Sequence, residues 1–220
     1  MDLVQRAKKI VLTPTSEWQV IAPETVSTGE LYRGYIVPLA AIGPIASFIG
    51  LSLVGVGVPA LGTYRLPLLS GLSMAVISFV FALVGVFLLG LIIDALAPTF
   101  GGEKNQIQAL KVAAYAYTPA WVAGVLYIFP ALGILVLLAS LYALYLLYLG
   151  LPVLMKSPKE RAAGYTAVVV VCAIVLGIVF SLVAGAVGGV GMHAGGPMMR
   201  SSSTPGDARG ALAELHRASS

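Results

Sequence analysis

The stretch Val112-AAYAYTPAWVAGVLYIFPALGILVLLASLYALYLLYLGLPV-Leu154 carries no charged residue over 43 positions. As one helix it would extend about 65 Å at ~1.5 Å per residue, roughly twice a hydrocarbon core of ~30 Å. The run must therefore turn, and Phe129-Pro130-Ala131-Leu132-Gly133 is the only turn chemistry near its middle. Two membrane spans follow as a tight hairpin, Gln106–Phe129 and Ala131–Leu154. Upstream, the turn-rich loop Ala97–Asn105 separates the hairpin from an apolar span over Leu66–Leu96. A first span is expected over Tyr35–Gly57, with Pro38, Gly43 and Pro44 inside it and a kink near Pro44. Small residues four apart in that span, Gly43 with Ser47 and Ala46 with Gly50, permit close helix contact. Downstream, Ser157-Pro158-Lys159-Glu160 reads as a capping box opening a fifth span over Tyr165–Val190.

Composition agrees with this pattern and excludes an ordinary soluble domain. Of 220 residues, 59% are hydrophobic and 10% charged, too few charges to cover a globule of this size. The fold class is all-α, a polytopic membrane protein with five transmembrane helices and a short N-terminal amphipathic helix. Its parts are a leader (residues 1–33), a membrane domain (34–190) and a Gly-, Ser- and Pro-rich tail (191–220) expected to be mostly disordered. The first long apolar run begins near Tyr35, too late for a secretory signal. With one cysteine, Cys172, no internal disulfide forms. The net charge of +4 is scattered among loops rather than gathered into a nucleic-acid patch.

In the leader, Leu3, Val4, Ala7, Ile10 and Val11 share one helical face and Gln5, Arg6, Lys8 and Lys9 the other. Such a helix suits the headgroup layer, with Arg6, Lys8 and Lys9 toward anionic lipid, or it packs on the protein's own loops. Thr13 reads as an N-cap before Pro14, and Trp18 as an interfacial anchor. If the N-terminus is inside, nine cations fall on inside segments and only Arg65 in an outside loop. The expected orientation is N-terminus cytoplasmic and C-terminus outside.

Several segments together resemble the bacterial branch of the YIP family (Ypt-interacting protein domain). They are Arg6-Ala7-Lys8-Lys9-Ile10-Val11-Leu12-Thr13-Pro14 with Glu17-Trp18, then Tyr32-Arg33-Gly34-Tyr35 with Pro38 to Pro44. Phe100-Gly101-Gly102-Glu103-Lys104-Asn105 leading to Ala113-Ala114-Tyr115-Ala116-Tyr117-Thr118-Pro119 completes the set. The resemblance covers residues 1–190 and implies a five-span helical protein of the inner membrane. Eukaryotic members bind prenylated Rab-type GTPases and carry an Asp-Leu-Tyr-Gly-Pro motif in a longer N-terminal region. That motif has no counterpart here, so the resemblance carries no expectation of GTPase binding.

Asp94 and Lys111 flank one short loop, near the same membrane boundary. They read as a structural ion pair or as a functional polar site, and a direct or water-bridged contact is expected. Lys111, Tyr115 and Thr118 share a face and extend the candidate polar site, with ordinary inter-helix hydrogen bonding as the alternative. Ala173, Gly177, Ser181, Gly185 and Gly189 form a helix-packing ridge on the fifth span, whose partner is this chain or a second subunit. Tyr142, Tyr145 and Tyr148 read as packing and interfacial residues.

No catalytic, cofactor-binding or metal-ligating set is expected: Asp94 is the one acid within a span, and no histidine lies at depth. The expected function is a non-catalytic scaffold or adaptor organising protein or lipid partners at the membrane. The alternative is a small oligomeric transporter, channel or lipid-moving protein. The expected partners are the lipid bilayer and an unidentified membrane or cytoplasmic protein, with a homo-oligomer compatible and nucleic acid excluded.

Overall fold

In the computed structural model, residues 2–58, 62–129 and 132–193 are described. Helices α1 (Leu3–Leu12) and α2 (Pro14–Ile21) form the leader. Pro14 starts α2 because its missing N–H would be unpaired there anyway. The Thr13 side chain makes no cap, contrary to expectation, and its hydroxyl donates to the Lys9 carbonyl instead.

The first membrane-length helix, α3 (Thr28–Val54), starts seven residues before its expected position. Ser27 caps it. Its hydroxyl accepts from the Glu30 N–H while the Glu30 carboxylate accepts from the Ser27 N–H. This reciprocal box pulls Glu30 and Arg33 into the helix. Pro38 and Pro44 remove donors, and the helix widens over Tyr32–Ile36 and breaks at Ala41, three residues before Pro44. A short antiparallel hairpin, Val56–Val58 with Gly62–Tyr64, follows.

Helix α4 (Leu68–Leu96) is nearly uniform in hydrophobicity and ends in a tight turn over Ala97–Phe100. Gly101 then adopts a φ of +74°, and the Gly102 N–H closes on the Ala97 carbonyl at 2.8 Å. The third expected span is not one helix. It divides into α5 (Gln106–Ala116), α6 (Thr118–Ala123) and a tighter turn over Gly124–Ile128. Pro119 explains the break at Tyr117, since its ring clashes with the preceding turn and supplies no donor. Helices α7 (Gly133–Leu154) and α8 (Ala162–His193) lie close to their expected bounds. The protein is thus an all-α polytopic membrane protein. Among the described residues, four helices are long and apolar enough to cross a bilayer, where five spans are expected.

The capping box expected at Ser157–Glu160 does not form. A single tight turn, Lys159–Arg161, precedes α8, and the Ser157 hydroxyl is buried without a partner among the described residues. The chain divides into a unit over Met1–Gly185 and a second over Ala186–Ser220, of which only the helical continuation 186–193 is described. The expected disordered tail therefore lies largely outside the described residues, and its first three positions are helical.

Within the first unit α5 is central, buried at every position from Ala109 to Ala116. Its alanines let neighbours approach closely. At Gly90 of α4, an added Cβ would lie 3.1 Å from the Leu110 Cα. The small residues of α3 act likewise: an added Cβ at Gly124 would lie 3.0 Å from the Gly43 Cα, and one at Gly50 would strike the Tyr127 carbonyl.

Candidate functional site

The polar side chains of the first unit gather where the leader meets the bundle. Arg6, on the buried face of α1, is 5% exposed. Its Nη1 donates to Glu17 Oε1 of α2 at 2.6 Å, and its Nη2 donates to Glu24 Oε1 in the following loop. The guanidinium also lies over the Tyr115 ring, 5.9 Å from its centroid. Burial alone would lower the Arg6 pKa. The hydrogen bond to Glu24, with the surrounding Tyr115, Glu24 and Glu17, outweighs that and raises it above its ordinary value. A buried cation is held here by two carboxylates and an aromatic face.

This corrects the expectation that Arg6 joins Lys8 and Lys9 on an outward cationic face. Lys8 and Lys9 are exposed, but Arg6 is an internal anchor and Val4, expected on the apolar face, is 65% exposed. The leader packs on the protein itself. Trp18, expected as an interfacial anchor, is fully buried, and an added Cβ at Gly150 of α7 would lie 2.8 Å from its ring. Tyr142 donates to the Val11 carbonyl at 2.7 Å, and Gln108 Nε2 to the Ala22 carbonyl at 2.8 Å. Tyr142 lies twelve residues before the end of α7, about 18 Å along the helix. The α1–α2 pair is therefore set into the side of the bundle along much of α7.

Lys111 is 1% exposed, and its Nζ donates to the backbone carbonyl of Glu24 at 2.8 Å. It does not pair with Asp94. Residue 110 faces α4, and Lys111, about 100° further round the helix, turns toward the leader. Asp94 lies on the α8 side. Its neighbour Ile93 accepts the Tyr165 hydroxyl, and one Asp94 carboxylate oxygen is buried without a partner among the described residues. Tyr115 does not donate to Asp94 either. Its ring packs on Tyr35 at 4.6 Å between centroids and edge-on to Trp18 at 6.2 Å. Thr118 is fully buried and shares a 2.7 Å hydrogen bond with the Tyr35 hydroxyl. Of the four candidate polar residues, Lys111, Tyr115 and Thr118 come together and Asp94 stands apart. Sequence reasoning missed Glu17 and Glu24; the available signal was that the leader's four acids, Asp2, Glu17, Glu24 and Glu30, balance its four cations.

Of the α8 ridge, Ala173 packs against the core and Gly177 lines a small cavity facing α4, while the ridge beyond them is open within the first unit. An added Cβ at Gly177 or Gly185 meets no heavy atom within 4 Å, and Ser181 is exposed. The burial of Gly189 lies outside the described residues. The contact face of α8 instead carries Tyr165, Val169 and Phe180, the last stacked on Phe81 of α4 at 4.8 Å. No three His, Cys, Asp or Glu side chains converge among the described residues.

Two cavities differ in character. One of about 550 Å³ lies beside the leader, lined by Arg6, Glu24, Glu30 and Tyr115 among others. The other, about 310 Å³, is walled by α3, α4, the third segment and α7, with Ser47, Ser78, Trp121 and Ser140 in its lining and no charged side chain.

Fold and site thus define an all-helical polytopic membrane protein with its N-terminal leader locked onto the bundle. The Yip1 domain matches residues 8–192, and the chain belongs to that family. The chain is 28% identical over 156 residues, covering 70% of itself and 80% of the relative, to Inner membrane protein YohC of Escherichia coli K12. The YohC protein of Escherichia coli O6:H1 matches equally. No solved structure matches.

Proposed function

We propose that this Yip1-family protein is a non-catalytic scaffold of a bacterial inner membrane, organising protein or lipid partners at the face where the leader is fixed. The supporting observation is where Lys111 and Thr118 place their polar atoms. Both groups on the candidate track form internal hydrogen bonds, to the Glu24 carbonyl and the Tyr35 hydroxyl. The intramembrane cavity has no charged lining among the described residues. An ion or proton pathway needs such groups facing water at depth. The inner-membrane assignment rests on the similarity to Inner membrane protein YohC of E. coli. The cytoplasmic N-terminus and outside C-terminus rest on the distribution of cations.

Reconstitution of the full chain in proteoliposomes tests the scaffold reading. Ion leak and lipid scrambling should equal those of protein-free vesicles. A flux abolished by Lys111→Met would replace the scaffold with a transporter. Reporter fusions after Lys104 and Lys159 should read cytoplasmic, and fusions after Gly62 and Ser203 outside. A cytoplasmic signal from the Ser203 fusion would refute the five-span topology.

A further inference from the structure

The cavity between α3, α4, the third segment and α7 is a slot with a definite length. Its lining runs from Ala40 to Leu51 on α3 and from Gly71 to Ala82 on α4. Eleven residues separate the ends of each row, about 16 Å along a helix. The rows are antiparallel, with Gly71 against Phe48 and Ser52, so Leu51 and Gly71 mark one end of the slot and Ala40 and Ala82 the other. Leu51 lies three residues before the end of α3, and Gly71 three after the start of α4. The slot therefore begins within a turn of the helix ends and reaches inward by about 16 Å, against ~15 Å for half of a ~30 Å hydrocarbon core. Its mouth faces lipid, because Met74, Ser78 and Tyr127 are exposed. Its floor and inner end are closed by Trp121, Val136 and Ala40, all buried.

We propose that this slot binds one acyl chain of a phospholipid from the leaflet at the α3–α4 connection. The headgroup end lies by Leu51 and Gly71, and the methyl end points toward Ala40 and Ala82. The depth and the length of the slot are those of a chain in a single leaflet. The lining carries no charged side chain, and the Ser140 hydroxyl already donates to the Val136 carbonyl. Water finds few partners in such a space, and apolar cavities stay dry. Left empty, the walls forfeit dispersion contacts that a hydrocarbon chain restores. Room for the chain comes from small residues on three walls, among them Gly43, Ala75, Ala120 and Gly124. The volume of about 310 Å³ is less than the roughly 400 Å³ of one helical turn with its side chains, so a helix of a second copy does not fit. Chain binding here goes beyond the scaffold reading and needs only that α3 and α4 span the bilayer.

The test uses the tryptophan emission of the full chain in nanodiscs of phosphatidylcholine, with acyl chains either plain or brominated at mid-chain. Bromine quenches an indole that it touches. The chain has two tryptophans. Trp18 is fully buried beneath the leader, whereas Trp121 lies on the floor of the slot. Brominated lipid should therefore remove the Trp121 share of the emission, and Trp121→Phe should abolish that loss. Ala75→Phe and Ser78→Phe, which place a ring in the slot, should each restore the emission. Val76→Phe, on the lipid-facing side of α4 and outside the slot, should leave the quenching unchanged. Helicity and a single size-exclusion peak establish that each variant is folded. Equal emission in the two lipids overturns the proposal, and a dimeric mass beside it assigns the slot to a second copy. Quenching that persists in both folded slot variants, or that Val76→Phe removes as fully as they do, also overturns it.

Discussion

The leader end of the bundle, built in part from polar helices, and the far more apolar helix α8 reach opposite states. At the leader end, α1, α2, α5 and the last turns of α7 bury Trp18, Lys111, Leu146 and Leu151 almost completely. Along α8, Ile174, Val175, Ile178 and Leu182 are each more than half exposed. The difference teaches that hydrophobicity in lipid does not report protein contact, because a lipid tail solvates leucine as well as a neighbouring helix does. Contact is reported instead by polar groups that need partners and by glycines at points where backbones meet.

Arg6→Met should break this contrast most severely. It leaves Glu17 buried and uncompensated beside Glu24, and losing one member of a buried pair costs about 3–5 kcal/mol. Unfolding of the purified protein in detergent would measure it, and Arg6→Met with Glu17→Met should recover part of the loss. If Arg6→Met costs less than Lys8→Met, the leader is not anchored through Arg6.

Lys111 and Asp94 sharpen the comparison because each belongs to one side of it. Lys111→Met removes a charged donor from the Glu24 carbonyl and should cost about 1.5–3 kcal/mol. Asp94→Asn should cost less, and the double variant should be additive within about 0.5 kcal/mol. A coupling above 1 kcal/mol would restore the ion pair that the sequence suggests. The chevron midpoint in a mild denaturing detergent series is a suitable readout, provided unfolding is reversible.

How much of this was legible in sequence follows from the same physics. Hydropathy placed α4, α7 and α8 closely because lipid burial depends on run length alone. The first span was misplaced because the reciprocal Ser27–Glu30 cap admits a charged first turn that hydropathy rejects. The split at Tyr117 could be anticipated from Pro119, but an uncharged run of that length concealed it. Lys111, Tyr115 and Thr118 were found as one face by helical spacing. Their partners were not, because no local pattern ties Arg6 to Glu17 or Lys111 to a carbonyl of the leader. Asp94 was wrongly joined to Lys111 because loop proximity fixes neighbouring helices but not their rotation.

The last test sets one small-residue stripe against the other. An added Cβ at Gly50 of α3 runs into the Tyr127 carbonyl and lies 3.0 Å from the Ile128 carbonyl, both backbone atoms that cannot rotate away. Gly50→Leu should therefore force α3 from the third segment and cost about 1–3 kcal/mol, by analogy with overpacked soluble cores. Gly177 and Gly185 of α8 have the same spacing logic but open space around an added Cβ. Gly185→Leu should change stability by less than about 0.5 kcal/mol, as at a position without a contact. Its oligomeric mass should be measured beside its stability. An unchanged mass leaves the ridge facing lipid, whereas dissociation of a dimer would show that α8 packs after all, against a second copy, and that the contrast holds only for a single chain.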